Sequence, residues 1–285
     1  MRVPREFMKQ TADFKSCFIT HALQQGLPVQ SAQELFALVP LDISNAFCFQ
    51  DAFTDLWRYD FGAPAISMPG GRQVIGTLQF PELRILVSVV RLARQVLPKN
   101  RLGLYLGRLA NKKKHPDALA EFQPLIHRAG VSGIENEVPG EGNKTIDWRI
   151  PDDGLPPLLV EVKSRVKDLI ESFESLEFAQ SLGLTEIPSP HHDPSIMLRS
   201  TTEKFPVCGP NIALHCVWIS AHLKQEANET KMAYQRLASG RVHVVVFGGW
   251  TQEASFIGDR PEDIQAVTNR LNLRPSEQYF FVRGT

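Results

Sequence analysis

The sequence predicts an α/β protein with a mainly helical N-terminal region, and three observations carry that prediction. From residue 115 to about 250 the elements run helix, three strands, helix, strand, helix, strand, with a last helix and strand beyond, without internal repeats. Residues 145–164, TIDWRIPDDGLPPLLVEVKS, form two apolar-alternating runs joined by a turn-rich PDDGLPP, the pattern of an antiparallel hairpin. Residues 1 to about 75 instead carry apolar clusters broken by GLP, Pro40 and APAISMPGG, and read as short helices with little strand alternation. The expected organisation is a helical region over 1–110 and an α/β domain over 111–285.

Composition narrows the class. The 285 residues are 43% hydrophobic and 22% charged, ordinary for a globular chain long enough to bury a core. With 31 basic and 31 acidic residues no global charge advertises a polyanionic partner, so a nucleic-acid site has to be a local patch. Cys17, Cys48, Cys208 and Cys216 are too few for a disulfide framework and read as reduced thiols. No cationic-then-apolar leader is present and no run reaches the roughly 18–20 apolar residues of a membrane span. The expected location is cytoplasmic.

Residues 81–97 open with Pro81 and Glu82 and place Arg84, Ser88, Arg91 and Gln95 along one side, which predicts a buried helix with one wet, basic stripe. Residues 115–130 have an early Pro116 and Asp117 and a terminal Gly130, predicting a second helix bent at Pro124. A strand at IENEV and the 145–164 hairpin follow. Val166, Leu169, Ile170, Phe173 and Leu176 recur at helical intervals, and residues 181–210, with five prolines, predict a long loop. NIALHCVWI is a strand, residues 221–240 a helix, RVHVVVFGGW a strand, Pro261 to about Leu273 a helix and QYFFVR a last strand.

The chemistry is expected in the hairpin. Alternation puts Thr145, Asp147 and Arg149 on one face of the first run, with Ile146, Trp148 and Ile150 opposite. In the second run Leu158, Val160 and Val162 face one way, and Leu159, Glu161 and Lys163 the other. If the turn centres on Gly154, Asp147 faces Glu161 and Thr145 faces Lys163. Like charges opposed across strands are unfavourable unless neutralised. Two carboxylates suit Mg²⁺ or Mn²⁺, hard ions that take oxygen ligands, and an adjacent ammonium can orient water and offset charge at a phosphate. Asp13-Phe14-Lys15 and Glu229-Thr230-Lys231 share the acid-x-Lys spacing, but neither ends an apolar strand or follows a strand bearing another acid.

On Asp147 and Glu161-Val162-Lys163, and on the element order over residues 115–250, the chain resembles the PD-(D/E)xK nuclease superfamily of restriction-endonuclease-like folds. The resemblance implies metal binding by Asp147, Glu161 and the Val162 carbonyl, with Lys163 assisting the attacking water. It also implies a helix glutamate, matched here by Glu121, although Glu135 or Glu137 could fill that place. Ile146 stands where the family name has proline. His191, His192 and Asp193 read as a polar loop, and Cys208, His215 and Cys216 as core residues, since neither group has zinc-site spacing.

Charge suggests a substrate path. No acidic residue lies between Glu82 and Asp117, whereas Arg84, Arg91, Arg94, Lys99, Arg101, Arg108, Lys112, Lys113 and Lys114 all do, giving a basic segment over 83–116. Clustered Lys and Arg supply sequence-independent phosphate attraction. The expected function is therefore a Mg²⁺- or Mn²⁺-dependent deoxyribonuclease, with RNA as an alternative substrate and bacterial defence or mobile-element biology as a setting. The competing expectation is a catalytically silent nucleic-acid-binding or scaffolding subunit, acting with a partner protein or a second copy of itself.

Overall fold

The computed structural model describes residues 5–62, 80–164, 194–220, 224–236 and 241–280. These fall into two compact units, one comprising described residues up to Leu119 and the other beginning at Ala120.

In the first unit Asp13 caps helix α1 (Phe14–Gln24), its carboxylate accepting the Ser16 N–H at 2.9 Å. Phe14, Cys17, Phe18 and Ala22 form the buried stripe of α1. Helices α2 (Val29–Phe36) and α3 (Leu41–Ser44) follow, each begun after a proline. Helix α4 (Leu83–Val96) buries Leu83, Leu86, Val87, Val90 and Ala93 and leaves Arg84 and Gln95 exposed, as the stripe predicts. Helix α5 (Lys99–Ala110) lies within the stretch read only as basic.

This unit also holds a three-stranded antiparallel sheet, β1 (Met8–Ala12), β2 (Phe47–Asp51) and β3 (Trp57–Asp60), which corrects the expectation of short helices alone. Cys48 and Phe49 are adjacent and both buried, as are Arg58 and Tyr59, so strands this short show no alternation to read. Behind the sheet, buried His115 has Nδ1 2.6 Å from the Leu109 carbonyl and Nε2 2.7 Å from the Tyr59 hydroxyl. Burial lowers its pKa to about 4. The ring is neutral, donating to the carbonyl and accepting from the phenol.

Helix α6 (His115–Ala120) stops short of the predicted Gly130, and a 3-10 turn, Gln123–Leu125, takes over. Pro124 offers no N–H and its ring would strike a helical carbonyl, so the helix ends before it and does not bend through it.

The second unit is built on a seven-stranded mixed sheet: β4 (Glu135–Pro139), β5 (Thr145–Asp152), β6 (Leu155–Ser164), β7 (Leu214–Ser220), β8 (Val244–Phe247), β9 (Glu253–Gly258) and β10 (Arg274–Phe280), adjacent in that order. β4, β5 and β6 form an antiparallel meander, β6, β7 and β8 run parallel, and β9 returns antiparallel before pairing in parallel with β10. Among the described residues this unit carries the helices α7 (Pro194–Thr202), α8 (Lys224–Gln235) and α9 (Pro261–Leu271). Asn272 closes α9 in the left-handed conformation, at φ 53°.

Helix α7 and strand β9 depart from expectation. Part of the predicted 181–210 loop is helical, with Pro194 at the helix start, where a missing N–H costs nothing. β9 leaves no mark in the sequence pattern because Ala254 to Gly258 are all buried, which hides any alternation. The helical periodicity from Val166 to Leu176 lies outside the described residues.

Both faces of β6 are covered. Leu158 and Val160 are fully buried, and the opposite face is closed by a cluster in which Leu159, Val217, Ile219, Val245 and Phe247 pack with Leu198, Phe205, Ala233 and Tyr234. A central strand in a covered sheet reads as a continuous apolar run, here LLV. Among the described residues no helix is long and apolar enough to cross a membrane.

Candidate functional site

The hairpin adopts the predicted register. Trp148 pairs with Val160, Arg149 with Leu159 and Ile150 with Leu158, and a bulge before Asp152 absorbs the asymmetry of the turn. One step further the same register brings Asp147 level with Glu161, but there the backbone ladder is replaced. The Asp147 carboxylate, through Oδ2, accepts the Val162 N–H at 2.7 Å, and the Asp147 carbonyl accepts from the Asn136 side chain at 3.1 Å. On the neighbouring strand Glu137 sits between ladder pairs at φ 49°, a left-handed conformation costing about 1 kcal/mol or more for a residue with a Cβ. Asp147 thus lies where pairing on both sides is locally broken. Ile146, expected to face with Trp148, packs in the cluster of Leu159 and Val217.

Glu161 is 1% exposed, in contrast to the solvated face that its polar neighbours suggest. Its Oε1 receives two ammonium groups, Lys163 Nζ at 2.9 Å and Lys204 Nζ in a shorter contact, while Oε2 is buried and has no hydrogen-bond partner among the described residues. A buried carboxylate requires compensation, and here two cations share one of its oxygens. Lys163 and Lys204 keep 29% and 25% of their side-chain surface, so both ammoniums sit at the site's solvent boundary.

The sequence does not single out Lys204. It follows α7, 43 residues from Glu161, and no spacing rule connects the two. Its backbone is fixed by the β4–β5 turn: Glu141 N–H donates to the Lys204 carbonyl at 2.7 Å, and a Cβ on Gly140 would collide with that oxygen. Lys144 and Glu203 form an exposed ion pair at 2.9 Å beside this contact.

Glu121 is placed by the end of α6. The Trp148 indole N–H donates to the Glu121 carbonyl at 2.8 Å, and the Trp218 indole donates to Gln123 Oε1 at 2.9 Å. Buried indoles need acceptors, and a helix ending at Ala120 supplies one. Glu121 is itself buried and its charge is felt at Asp147. Glu135 is engaged by Arg149 and Glu137 is exposed. Of the three candidate glutamates, Glu121 is the one whose field reaches Asp147.

The electrostatics follow from this arrangement. Loss of water and then the nearby Glu161 charge push the Asp147 carboxyl up, to about 7. The Val162 N–H pulls it down, Glu121 raises it and Lys204 lowers it. Among the described residues no three or more His, Cys, Asp or Glu side chains converge as a ready metal cage. The features that fit a divalent cation are the partnerless Glu161 Oε2 and the elevated Asp147, both of which a dication would satisfy.

No protein-family model, curated protein or solved structure matches the chain. The site therefore stands on its own geometry.

The basic segment belongs to the first unit. Arg84 pairs with Glu82 at 2.8 Å and Arg94 with Glu34 at 3.0 Å, while Arg91 donates to the Gln25 carbonyl at 3.4 Å, so the α4 stripe is partly engaged. Arg101 and Arg108 lie on α5, Arg108 over the Tyr105 ring at 5.5 Å. Lys99 and Lys112, Lys113 and Lys114 are exposed, the last two with backbone N–H groups held by Asn111 Oδ1.

The other sequence candidates resolve differently. His191, His192 and Asp193 lie outside the described residues. Cys208 and His215 are in contact, Sγ to Nε2 at 3.4 Å, and His215 stacks on Phe205 at 4.8 Å. Burial holds the Cys208 thiol above its ordinary pKa and lowers His215 to about 4, so both are neutral core groups. All four cysteines are free.

Proposed function

We propose that the chain is a Mg²⁺- or Mn²⁺-dependent nuclease that hydrolyses phosphodiester bonds in DNA, on a restriction-endonuclease-like core of the PD-(D/E)xK kind. The observation that carries this reading is the juxtaposition of Asp147 with a buried Glu161 whose Oε2 has no partner among the described residues and whose Oε1 holds Lys163. The element order supports the fold assignment: α6, the β4–β5–β6 meander, then β7 and β8 parallel to β6.

In this reading Asp147, Glu161 and the Val162 carbonyl hold the ion, with Glu121 reinforcing the negative field. When bound, the ion polarises a phosphoryl oxygen and lowers the pKa of its water. Lys163, at the solvent boundary, orients the attacking water and offsets charge at the phosphate. The exposed Lys112, Lys113 and Lys114 attract the substrate backbone in a manner independent of sequence. A setting in bacterial defence or mobile-element biology suits such an activity.

One observation favours the alternative, a silent nucleic-acid-binding or scaffolding subunit working with a partner protein or a second copy. Glu161 is already neutralised by two lysines, as it would be in a site retired from catalysis. Incubating the purified protein with plasmid DNA and Mg²⁺ or Mn²⁺ decides between them. Cleavage that EDTA abolishes supports the nuclease, and binding without cleavage under every metal supports the subunit. Cleavage of RNA but not DNA would change the substrate and leave the chemistry in place.

A further inference from the structure

Lys204 has no part in the motif that identifies the site, yet it makes a direct contact with the motif's central carboxylate. The contact is built and not incidental. Gly140 permits close approach of the β4–β5 turn, Glu141 N–H holds the Lys204 carbonyl at 2.7 Å, and the side chain reaches inward to Glu161 Oε1. Two ammonium groups on one carboxylate oxygen are more than an ion pair needs. The surplus has its counterpart in the acids gathered here, since the charges of Glu161 and Glu121 both act on Asp147 and that of Lys204 opposes them.

A dication entering between Asp147 and Glu161 would meet the Lys204 ammonium at a few ångströms. At that range like charges repel strongly in a partly buried site. Lys163 can stay, because its role is beside the ion, but the charge nearest the two carboxylates has to yield. We infer that Lys204 is a tethered counter-cation of the Asp147–Glu161 pair, which stabilises the metal-free site and which a divalent ion must displace in order to bind. The inference rests on the metal-site reading above and makes Lys204 a positioning residue that sets the affinity for the ion.

The test is calorimetric titration of the full chain with Mn²⁺, comparing wild type with Lys204→Met, Lys204→Gln and Lys204→Arg. The Met and Gln variants should bind Mn²⁺ on the order of tenfold more tightly, because binding no longer has to expel a cation, and Arg should stay near wild type. The same neutral variants should melt lower without metal and show a larger Mn²⁺-induced rise. A purely structural lysine would give the opposite sign in the titration, since its loss would loosen the site and weaken binding. Because the backbone carbonyl and not the side chain takes the Glu141 N–H, the main-chain clamp survives each substitution, and Gln provides a polar replacement if Met disturbs the fold. Equal or weaker Mn²⁺ binding by both neutral variants overturns the inference while leaving the metal site intact. Absence of Mn²⁺ binding in wild type, or binding that persists unchanged in Glu161→Gln, overturns the metal-site reading and the inference with it.

Discussion

The Asp147 carboxylate accepts the Val162 backbone N–H at 2.7 Å, standing in for the strand carbonyl that would otherwise take it. The bond closes the β5–β6 ladder with a side-chain carboxyl in place of backbone, and it ties the position of one acid to the residue between Glu161 and Lys163. A side chain in that place has a stability signature. The folded-state pKa of Asp147 is raised from its ordinary value to about 7, so the folded protein holds a proton that the unfolded chain has released between about pH 4 and 7. Stability should therefore fall as pH rises through that window, by about 2 kcal/mol after allowance for partial exposure. Asp147→Asn should flatten this slope, as measured by denaturant unfolding at pH 4.5, 6 and 7.5.

Mn²⁺ or Mg²⁺ should raise the melting temperature of the wild-type protein by mass action on the folded state. The ion requires Asp147 deprotonated, so the shift should grow as pH approaches about 7 and shrink below it. Asp147→Asn should blunt the response. An identical shift in wild type and mutant would place the ion elsewhere.

Lys163→Ala should lower kcat by about 100-fold or more and leave DNA binding in place. The protein should still unfold cooperatively, because Lys204 remains to pair with Glu161. Full activity in a clean preparation of this variant would remove the site assignment.

Replacing Lys112, Lys113 and Lys114 together with alanine should weaken binding evenly across sequences and flatten its salt dependence, by about one unit of slope for each phosphate no longer neutralised. The variant should cut once substrate is driven on at low salt, and its Mn²⁺ affinity should match wild type. An unchanged slope would make these lysines an ordinary solvated face.

Gly140→Ala should cost about 1–3 kcal/mol, because its methyl group collides with the Lys204 carbonyl and a backbone cannot swing aside as a long side chain can. Its effect on Mn²⁺ affinity should follow the direction of the neutral Lys204 variants, since the same ammonium is being pushed away from Glu161. Thermal melts with and without Mn²⁺ measure both effects.

How much of this could be read from sequence depended on whether the cause was local. The hairpin register followed from the turn around Gly154, and the wet stripe of α4 from helical spacing, because both are set by residues close in sequence. The covering of the Leu159 face of β6 was hidden, since Leu198 and Phe205 arrive there from beyond the hairpin. Lys204 was hidden for the same reason. Strands β2, β3 and β9 escaped because their neighbouring residues are buried on both faces, so the period of two that marks a half-exposed strand was missing. Pro124 reads in the sequence as a bend in a helix running to Gly130, whereas α6 ends at Ala120, and nothing in the sequence says that two indole groups claim the residues released.

The 43-residue separation between Glu161 and Lys204 also bears on the order of folding events. The β5–β6 hairpin is local and can close on the microsecond scale, whereas docking the segment after α7 closes a much longer loop and must come later. For that interval the chain carries two opposed carboxylates with only Lys163 at hand. A divalent ion, or screening salt, present during refolding would occupy the gap until the second lysine arrives, so the ion proposed for this site would also act as a folding aid.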